Sequence, residues 1–404
     1  MLPALSLFRH DKIKAMLKTL KNIGDIKGRR VLVRVDFNVP VAEGIVPETS
    51  EWRLKAVLPT LDYLVKQGAK IIILSHLGRP QGQNLHYSLY PVYLKLKDLW
   101  SQEVLFSHDI FGSSTPKIIK SLKNSQAVLL ENLRFNAGEE KNDENFAKEL
   151  AGLGDFYVND AFAVSHRAHA SIIGVPKLLP ASAGLLLEKE ITVLSMVRDK
   201  PRRPLVLVMG GAKAETKLKL VRRFLDKSEG IIVGGILANT ILYARGMTVG
   251  KSIVEPTLIN EAKKLEITST HLHLPVDVLV SKSLNIPTDV KIRPVGKIEP
   301  DEYIVDIGPD TIKLFNQVIN SARMVVWNGA VGLTEISAFN KGSAAVAQTI
   351  ANLSGEKIIG GGDLISFLSQ ENLFNKMTYV STGGGAMLEF LAGEMLPGIR
   401  ALEK

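Results

Sequence analysis

The sequence contains no cysteine, which removes disulfide frameworks, zinc fingers and thiol nucleophiles from consideration. That absence agrees with a reducing compartment, and the expected address is cytoplasmic. No apolar run approaches the roughly 20 residues that span a bilayer, so no membrane segment is expected. Aromatic residues make up only 6% of the chain, a poor supply of stacking platforms for single-stranded nucleic acid. Also missing are G-x-x-x-x-G-K-[ST] and G-x-G-x-x-G, so neither a P-loop enzyme nor a standard dinucleotide fold is supported. The H-R-D and D-F-G signatures of protein kinases are absent as well.

What is present is length, balance and alternation. At 404 residues the chain is long enough for two domains of about 200 each. Its formal charge of +9 is compatible with nucleic acid, an acidic small molecule or simple solubility, and the basic residues are not gathered into a tail. Residues 1–15 precede a second methionine, Met16, and read as an extension outside the fold.

From Val31 onward, short apolar strands alternate with helical stretches. Strands are expected at Val31 to Phe37, Lys70 to Ser75, Ala127 to Leu130 and Phe156 to Val158. Between the first two, Leu54 to Gln67 shows a helical stripe interrupted by Pro59. After Pro176 a long amphipathic helix is expected over Leu178 to Asp199, able to join two lobes. A second series follows at Leu205 to Met209, Ile231 to Val233, His273 to Val280, Met324 to Trp327, Lys357 to Ile359 and Thr378 to Val380. Such alternation implies right-handed crossovers and parallel sheets. The expected fold is α/β, with two doubly wound, Rossmann-like domains joined by a helix: residues 16–184, a link at 185–200, and residues 201–391.

The second half carries its chemistry on glycines. Leu205 to Met209 ends at Gly210-Gly211, with Lys213 and Lys217 four residues apart beyond it. Glycines at a strand-to-helix turn let backbone N–H groups approach an anion, and the following helix aims its positive end at the same place. The same glycines can serve only to pack helix on sheet. Two more clusters, Gly360-Gly361-Gly362-Asp363 and Gly383-Gly384-Gly385, favour a nucleotide cleft along one sheet edge. Asn328, after Val325-Val326-Trp327, can bond phosphate or stabilise its turn; Glu335 can accept from ribose hydroxyls or cap a helix. Asp363 is the favoured Mg²⁺ ligand, since that ion keeps waters and needs few protein ligands; the alternative is an N-cap.

In the first half, polar residues recur where strands end: Arg34-Val35-Asp36-Phe37-Asn38, Ser75-His76-Leu77-Gly78-Arg79, Glu131-Asn132-Leu133-Arg134, and Asn159-Asp160 with His166-Arg167-Ala168-His169. Charges there need partners or a ligand. In a parallel sheet these ends converge, so Arg53, Arg79, Arg134 and Arg167, with His76 and His169, are expected to line one basic pocket for a dense anion such as a phosphorylated carboxylic acid. His166 and His169 lack a third metal ligand at a suggestive spacing.

The ordered set RVDFNVP, SHLGRP, ENLRF, HRAH, GGAK, VVWNGAVG, IIGGGD and VSTGGGAMLEFLAGEMLPG resembles phosphoglycerate kinase, from about Lys21 to Leu402. The resemblance implies reversible transfer of the acyl phosphate of 1,3-bisphosphoglycerate to ADP. It implies an N-terminal domain that binds 3-phosphoglycerate through Asp36, Asn38, Arg53, His76, Arg79, Arg134 and Arg167. A C-terminal domain would bind MgADP or MgATP through Gly211, Lys213, Lys217, Asn328, Glu335 and the Gly361-Gly362-Asp363-Leu364 turn. Arg53, Lys213 and Lys217 would be catalytic, and Mg²⁺ would sit on Asp363. The two domains would face each other across a cleft and close by hinge bending, with the tail 392–404 returning to the first. The partners implied are small molecules only, with no nucleic acid and no membrane, and the protein would be a monomer.

Four positions depart from the family's usual wording: Leu364 where threonine is typical, Ala330 for proline, Tyr243 for lysine and Met387 for serine. Losing the threonine hydroxyl removes one expected phosphate contact, worth on the order of 1 kcal/mol. Two rivals remain at this level. A phosphate-binding oxidoreductase would want the missing dinucleotide fingerprint, and a nucleic-acid binder would show salt-sensitive retention of duplex.

Overall fold

The structure, a computed structural model, describes residues 17–266 and 269–403. The expected extension, residues 1–15, and Met16 lie outside the described residues. The chain divides into two compact units, one formed by Met1–Asp199 with Glu394–Lys404 and the other by Lys200–Gly393.

The first unit is built on six parallel strands: β1 (Arg30–Arg34), β2 (Lys70–Leu74), β3 (Val104–Ser107), β4 (Ala127–Leu130), β5 (Phe156–Asn159) and β6 (Ala181–Ala183). Their spatial order is β3-β4-β2-β1-β5-β6. The chain moves outward from β1 through β2, then returns to place β5 on the other flank, so the order reverses between β1 and β5. Val31, Val33, Ile71, Ile73, Leu129 and Val158 are buried in one core with the helix residues Leu61 and Leu64. Strands covered on both faces read as continuous apolar runs, which is why they were visible in the sequence.

Three local expectations are corrected. The stripe over Leu54 to Gln67 is two helices, Glu51–Lys55 and Leu58–Lys66. Pro59 lies in the first turn of the second, where its missing N–H costs nothing. The long helix begins at Leu185, not Leu178, and runs to Asp199. Pro180 precedes the short strand β6, which takes up residues expected to be helical. Expected as one strand, His273 to Val280 is instead two elements in different sheets, separated at Pro275. Strands β3 and β6 were not anticipated.

The start of the helix Leu185–Asp199 is held by two side chains. Leu185 N–H donates to Thr60 Oγ1 at 3.0 Å, and Leu186 and Leu187 N–H donate to Asp160 Oδ1 at 2.9 and 3.1 Å. This satisfies the orphan donors of a first turn. Asp160 approaches so closely that a Cβ on Gly184 would overlap its Oδ1, so the position requires glycine. Burial pushes the Asp160 carboxyl up to about 7 against these hydrogen bonds. In the same unit, Gly398 N–H donates to Ser165 O at 2.8 Å.

The second unit repeats the plan with β7 (Leu205–Met209), β8 (Gly230–Val233), β9 (Leu272–His273), β13 (Met324–Asn328), β14 (Glu356–Gly360) and β15 (Tyr379–Ser381). All are parallel, in the order β15-β14-β13-β7-β8-β9. The reversal falls between β7 and β13. Inserted after β9 is an antiparallel sheet of β10 (Asp277–Ser281), β11 (Lys291–Pro294) and β12 (Tyr303–Ile307). β11 is largely exposed and carries little apolar periodicity, and of the three only β10 overlaps an expected strand. No helix among the described residues is long and apolar enough to cross a membrane.

Candidate functional site

In the first unit, the loops after β1, β2, β4 and β5 bring charged side chains to the carboxyl edge of the sheet. Arg53 Nη1 donates to Asp36 Oδ2 at 2.9 Å, and its guanidinium lies 5.0 Å from the Trp52 ring centroid. Asp36 Oδ1 accepts the Asn38 N–H at 3.0 Å, and Asn38 Oδ1 accepts the Gly78 N–H at 2.9 Å, which ties the β1 and β2 loops together. A Cβ on Gly78 would overlap the Tyr87 ring, and its φ of +61° independently favours glycine. Asn38 and Arg79 are exposed, and Arg167 is half-buried with Nε 3.4 Å from His166 Nε2.

Arg134 is nearly buried, and Nη1 donates to Gly78 O. Nε forms an ion pair with Glu140 Oε1 at 3.0 Å without hydrogen-bond geometry, and neither Nε nor Nη2 has a hydrogen-bond partner. Burial lowers the guanidinium pKa to about 10, opposed mainly by Glu140. Arg34, Arg134 and Arg167 all act on His76 and His169. Burial first, then these cations, hold His76 well below the usual imidazole range and bring His169 to about 3. Both rings are therefore neutral at physiological pH. Of the expected arginines, Arg134 and Arg167 converge on the histidines, Arg53 is engaged by Asp36, and Arg79 is exposed.

Beneath these groups, Glu139 is fully buried and accepts the Ser171 N–H at 2.9 Å and the Ser171 hydroxyl at 2.6 Å. Neither residue was singled out from the sequence, because Gly138-Glu139-Glu140-Lys141 reads as an ordinary solvated helix.

In the second unit, the turns after β7 and β13 interlock. A Cβ on Gly210 would overlap the Ala330 carbonyl, and one on Gly329 would overlap the Gly210 carbonyl. Only glycine permits this approach. Lys213 has φ +61° and precedes the helix Ala214–Phe224, with its side chain exposed. Lys217, one turn inside the helix, is buried, and Nζ donates to Gly210 O and Ala212 O. Burial lowers its pKa to about 8, Lys213 adds to the fall, and Asp363 opposes it.

Asn328 closes β13 and is 4% exposed, yet its Nδ2 has no hydrogen-bond partner. It faces the Gly360-Gly361 turn, where a Cβ on Gly361 would lie 3.6 Å from its amide. The helix Gly362–Gln370 takes Gly361 as its N-cap residue, with φ +105°. Asp363 therefore sits inside the first turn, exposed, and the N-cap alternative does not hold. Leu364 is fully buried. These residues line a cavity of about 650 Å³ with Gly211, Lys213, Glu335 and the apolar side chains Ile253, Val331 and Leu388.

Asp306 on β12, another residue not singled out, also lines this cavity. It accepts from Gly342 N–H at 2.6 Å and Ile307 N–H at 2.9 Å, and burial raises its pKa to about 7. A carboxylate inside the apolar run Ile304-Val305-Asp306-Ile307 was the signal that could have found it.

The family model described as phosphoglycerate kinase matches residues 20–394. The chain belongs to the phosphoglycerate kinase family. It is 42% identical over 393 residues to the phosphoglycerate kinase of Borreliella afzelii strain PKo, covering 96% of this chain and all of that one. With the phosphoglycerate kinase of Pelotomaculum thermopropionicum it shares 44% over 390 residues, 95% of this chain and 98% of the relative. The solved phosphoglycerate kinase of Coxiella burnetii matches with a TM-score of 0.80 at 38% identity, and that of Pyrococcus horikoshii OT3 with 0.83 at 32%; each comparison covers 96% of this chain and 98% of the other. Against phosphoglycerate kinase wording, Leu364 and Met387 are packed inside the second unit, and a Cβ on Gly360 would overlap the Met387 sulfur. Ala330 is buried at the interlocked turn, while Tyr243 is 48% exposed.

Proposed function

We propose that the chain catalyses reversible transfer of the acyl phosphate of 1,3-bisphosphoglycerate to ADP, giving 3-phosphoglycerate and ATP, the glycolytic step of its family. In this reading residues 16–184, with the tail 392–404, bind the triose, residues 201–391 bind the nucleotide, and 185–200 link them. The protein acts in the cytoplasm as a monomer. The observation that carries the assignment of sites is that each sheet's carboxyl edge holds a buried donor lacking an acceptor: Arg134 Nη2 in one unit and Asn328 Nδ2 in the other. Unmatched buried donors cost about 1–3 kcal/mol each, which an anionic ligand recovers.

On the triose side, Arg134 and Arg167 take the phosphate and His76 donates to an anionic oxygen. Asp36 and Asn38 orient the hydroxyl-bearing end, while Arg79, exposed at the rim, adds attraction. Arg53 is positioned by Asp36 to meet the transferring group. The accepting carboxylate is already ionised at neutral pH, so no general base is needed.

On the nucleotide side, the Gly211 turn and the amides of Gly361, Gly362 and Leu364 cradle phosphates at helix starts. Asn328 donates to the same chain, Lys213 and Lys217 neutralise charge, and Glu335 accepts from ribose. A magnesium ion fits Asp363, an exposed carboxylate inside a first turn beside Lys217. Among the described residues no three His, Cys, Asp or Glu side chains gather as a cage, so further ligands would come from water and the nucleotide. When bound, the ion offsets charge on the β- and γ-phosphates.

Because the two donor sets belong to different units, transfer requires closure that brings the substrates in line and excludes water. The deciding experiment is a coupled assay with 3-phosphoglycerate, MgATP and a downstream NADH-dependent reductase. Nicotinamide oxidation that requires both substrates is expected; none at saturating concentrations of both overturns the reading.

A further inference from the structure

Arg34, the last residue of β1, is fully buried, although nothing in the transfer step above uses it. Its Nε donates to Ser171 Oγ at 2.8 Å and its Nη1 to Val35 O. Nη2 lies 3.2 Å from His76 Nδ1 and 3.9 Å from Glu139 Oε1. Ser171 is itself fixed three ways: its N–H and hydroxyl donate to Glu139, and its carbonyl accepts the Tyr157 hydroxyl at 2.5 Å. The guanidinium thus has one rigid pose.

A guanidinium only donates, so His76 Nδ1 must accept, and a neutral imidazole then carries its single proton on Nε2. Nε2 has no protein acceptor among the described residues. We infer that Arg34 is a positioning residue, which through Nη2 locks His76 in the Nε2–H tautomer and so gives the triose site a neutral donor in place of a further cation. The opposite tautomer would turn a lone pair toward an anionic ligand and repel it. The other neighbours of the ring agree: the cations Arg134 and Arg167, and the titratable His169, all disfavour its protonation. Only Asp36, with Oδ1 3.8 Å from Nδ1, draws a proton toward that side. Without Arg34, Asp36 becomes the dominant neighbour and Nδ1 gains the proton.

The consequence for substrate rests on the proposed triose site, whereas the tautomer does not, and the test separates them. Full-length protein labelled with ¹⁵N-histidine is followed by NMR from pH 8 to pH 5. The expected His76 signature is a bare Nδ1 and a protonated Nε2, with no titration. A protonated Nδ1, or titration near the ordinary histidine midpoint, overturns the inference, and this measurement needs no variant. In Arg34→Met, Nδ1 protonation should appear and the titration midpoint should rise toward the usual histidine value. KM for 3-phosphoglycerate should rise roughly 10- to 100-fold, the effect of one lost hydrogen bond to a charged ligand, with KM for ATP unchanged. Arg34→Lys, still cationic and able to donate to Nδ1, should restore the wild-type spectrum. An unchanged His76 spectrum in Arg34→Met overturns the inference. Spectra as expected without any 3-phosphoglycerate binding would leave Arg34's role standing and remove the functional reading instead.

Discussion

Lys217 offers a direct thermodynamic handle on nucleotide binding. Two donors of its ammonium group reach Gly210 O and Ala212 O, leaving the third for a phosphate. Burial lowers its pKa to about 8 in the free protein, whereas a bound phosphate chain favours the charged form and must raise it. Binding therefore takes up a proton wherever the free lysine is already partly neutral. With a free pKa of about 8 and a bound value two units or more higher, uptake is below about 0.1 proton at pH 7 and about 0.7 at pH 8.5. By linkage, affinity is greatest below pH 8 and weakens up to tenfold per unit as pH rises above it. Isothermal titration of MgADP at pH 8.5 in two buffers of different ionisation enthalpy reads the uptake directly. Phosphate groups, with a second pKa near about 6, are fully ionised there and do not contribute. Lys217→Arg keeps the charge and should bind with no uptake. Buffer-independent heats in the wild type at pH 8.5 would refute the placement of Lys217 against the phosphates.

Arg53→Ala should lower kcat by about 100-fold or more, as loss of a preorganised charge at a transferring group does, with nucleotide affinity measured by titration unchanged; near-normal turnover counts against a catalytic role. Arg134→Met should weaken 3-phosphoglycerate binding roughly 10- to 100-fold, yet leave the melting temperature unchanged or higher, because it removes two unmatched buried donors. A drop of several degrees in calorimetry would show that Arg134 is structural. Burial raises the Asp160 pKa to about 7, so its folded form binds a proton that the unfolded chain, with a carboxyl near about 3.9, releases. Its cost is fully present above pH 7 and disappears as pH falls toward 4. Urea unfolding of Asp160→Asn should accordingly lose part of the wild-type gain in stability between pH 8 and pH 5, and identical pH slopes would contradict the shift.

The fold was legible where burial is two-sided. Leu205 to Met209 and Met324 to Trp327 are apolar at every position because both sheet faces are covered, and the glycine turns after β7, β13 and β14 are required by backbone overlap or by positive φ. Lines of sequence that mix burial classes were read less well. β11 is largely exposed, and β6 is three small residues, Ala181-Ser182-Ala183, so neither carries a hydrophobic period. Pro275 broke one expected strand by a tertiary choice between two sheets that no local pattern announces. At the triose edge, Arg134 and His76 were visible as polar residues following apolar strands. Glu139 and Ser171 were not, because their burial depends on residues more than a hundred positions away: Arg34 reaches Ser171 across 137 positions.

The central claim, that a phosphorylated acid and a magnesium nucleotide are held by separate units at their sheet edges, is tested most directly by a crystal structure grown with 3-phosphoglycerate and MgADP. Density for the triose against Arg134 Nη2 and Arg167, with nucleotide phosphates against Asn328 Nδ2 and the Gly361-Gly362 turn, is the predicted result. Either ligand bound elsewhere, with those donors still unmatched, would contradict it.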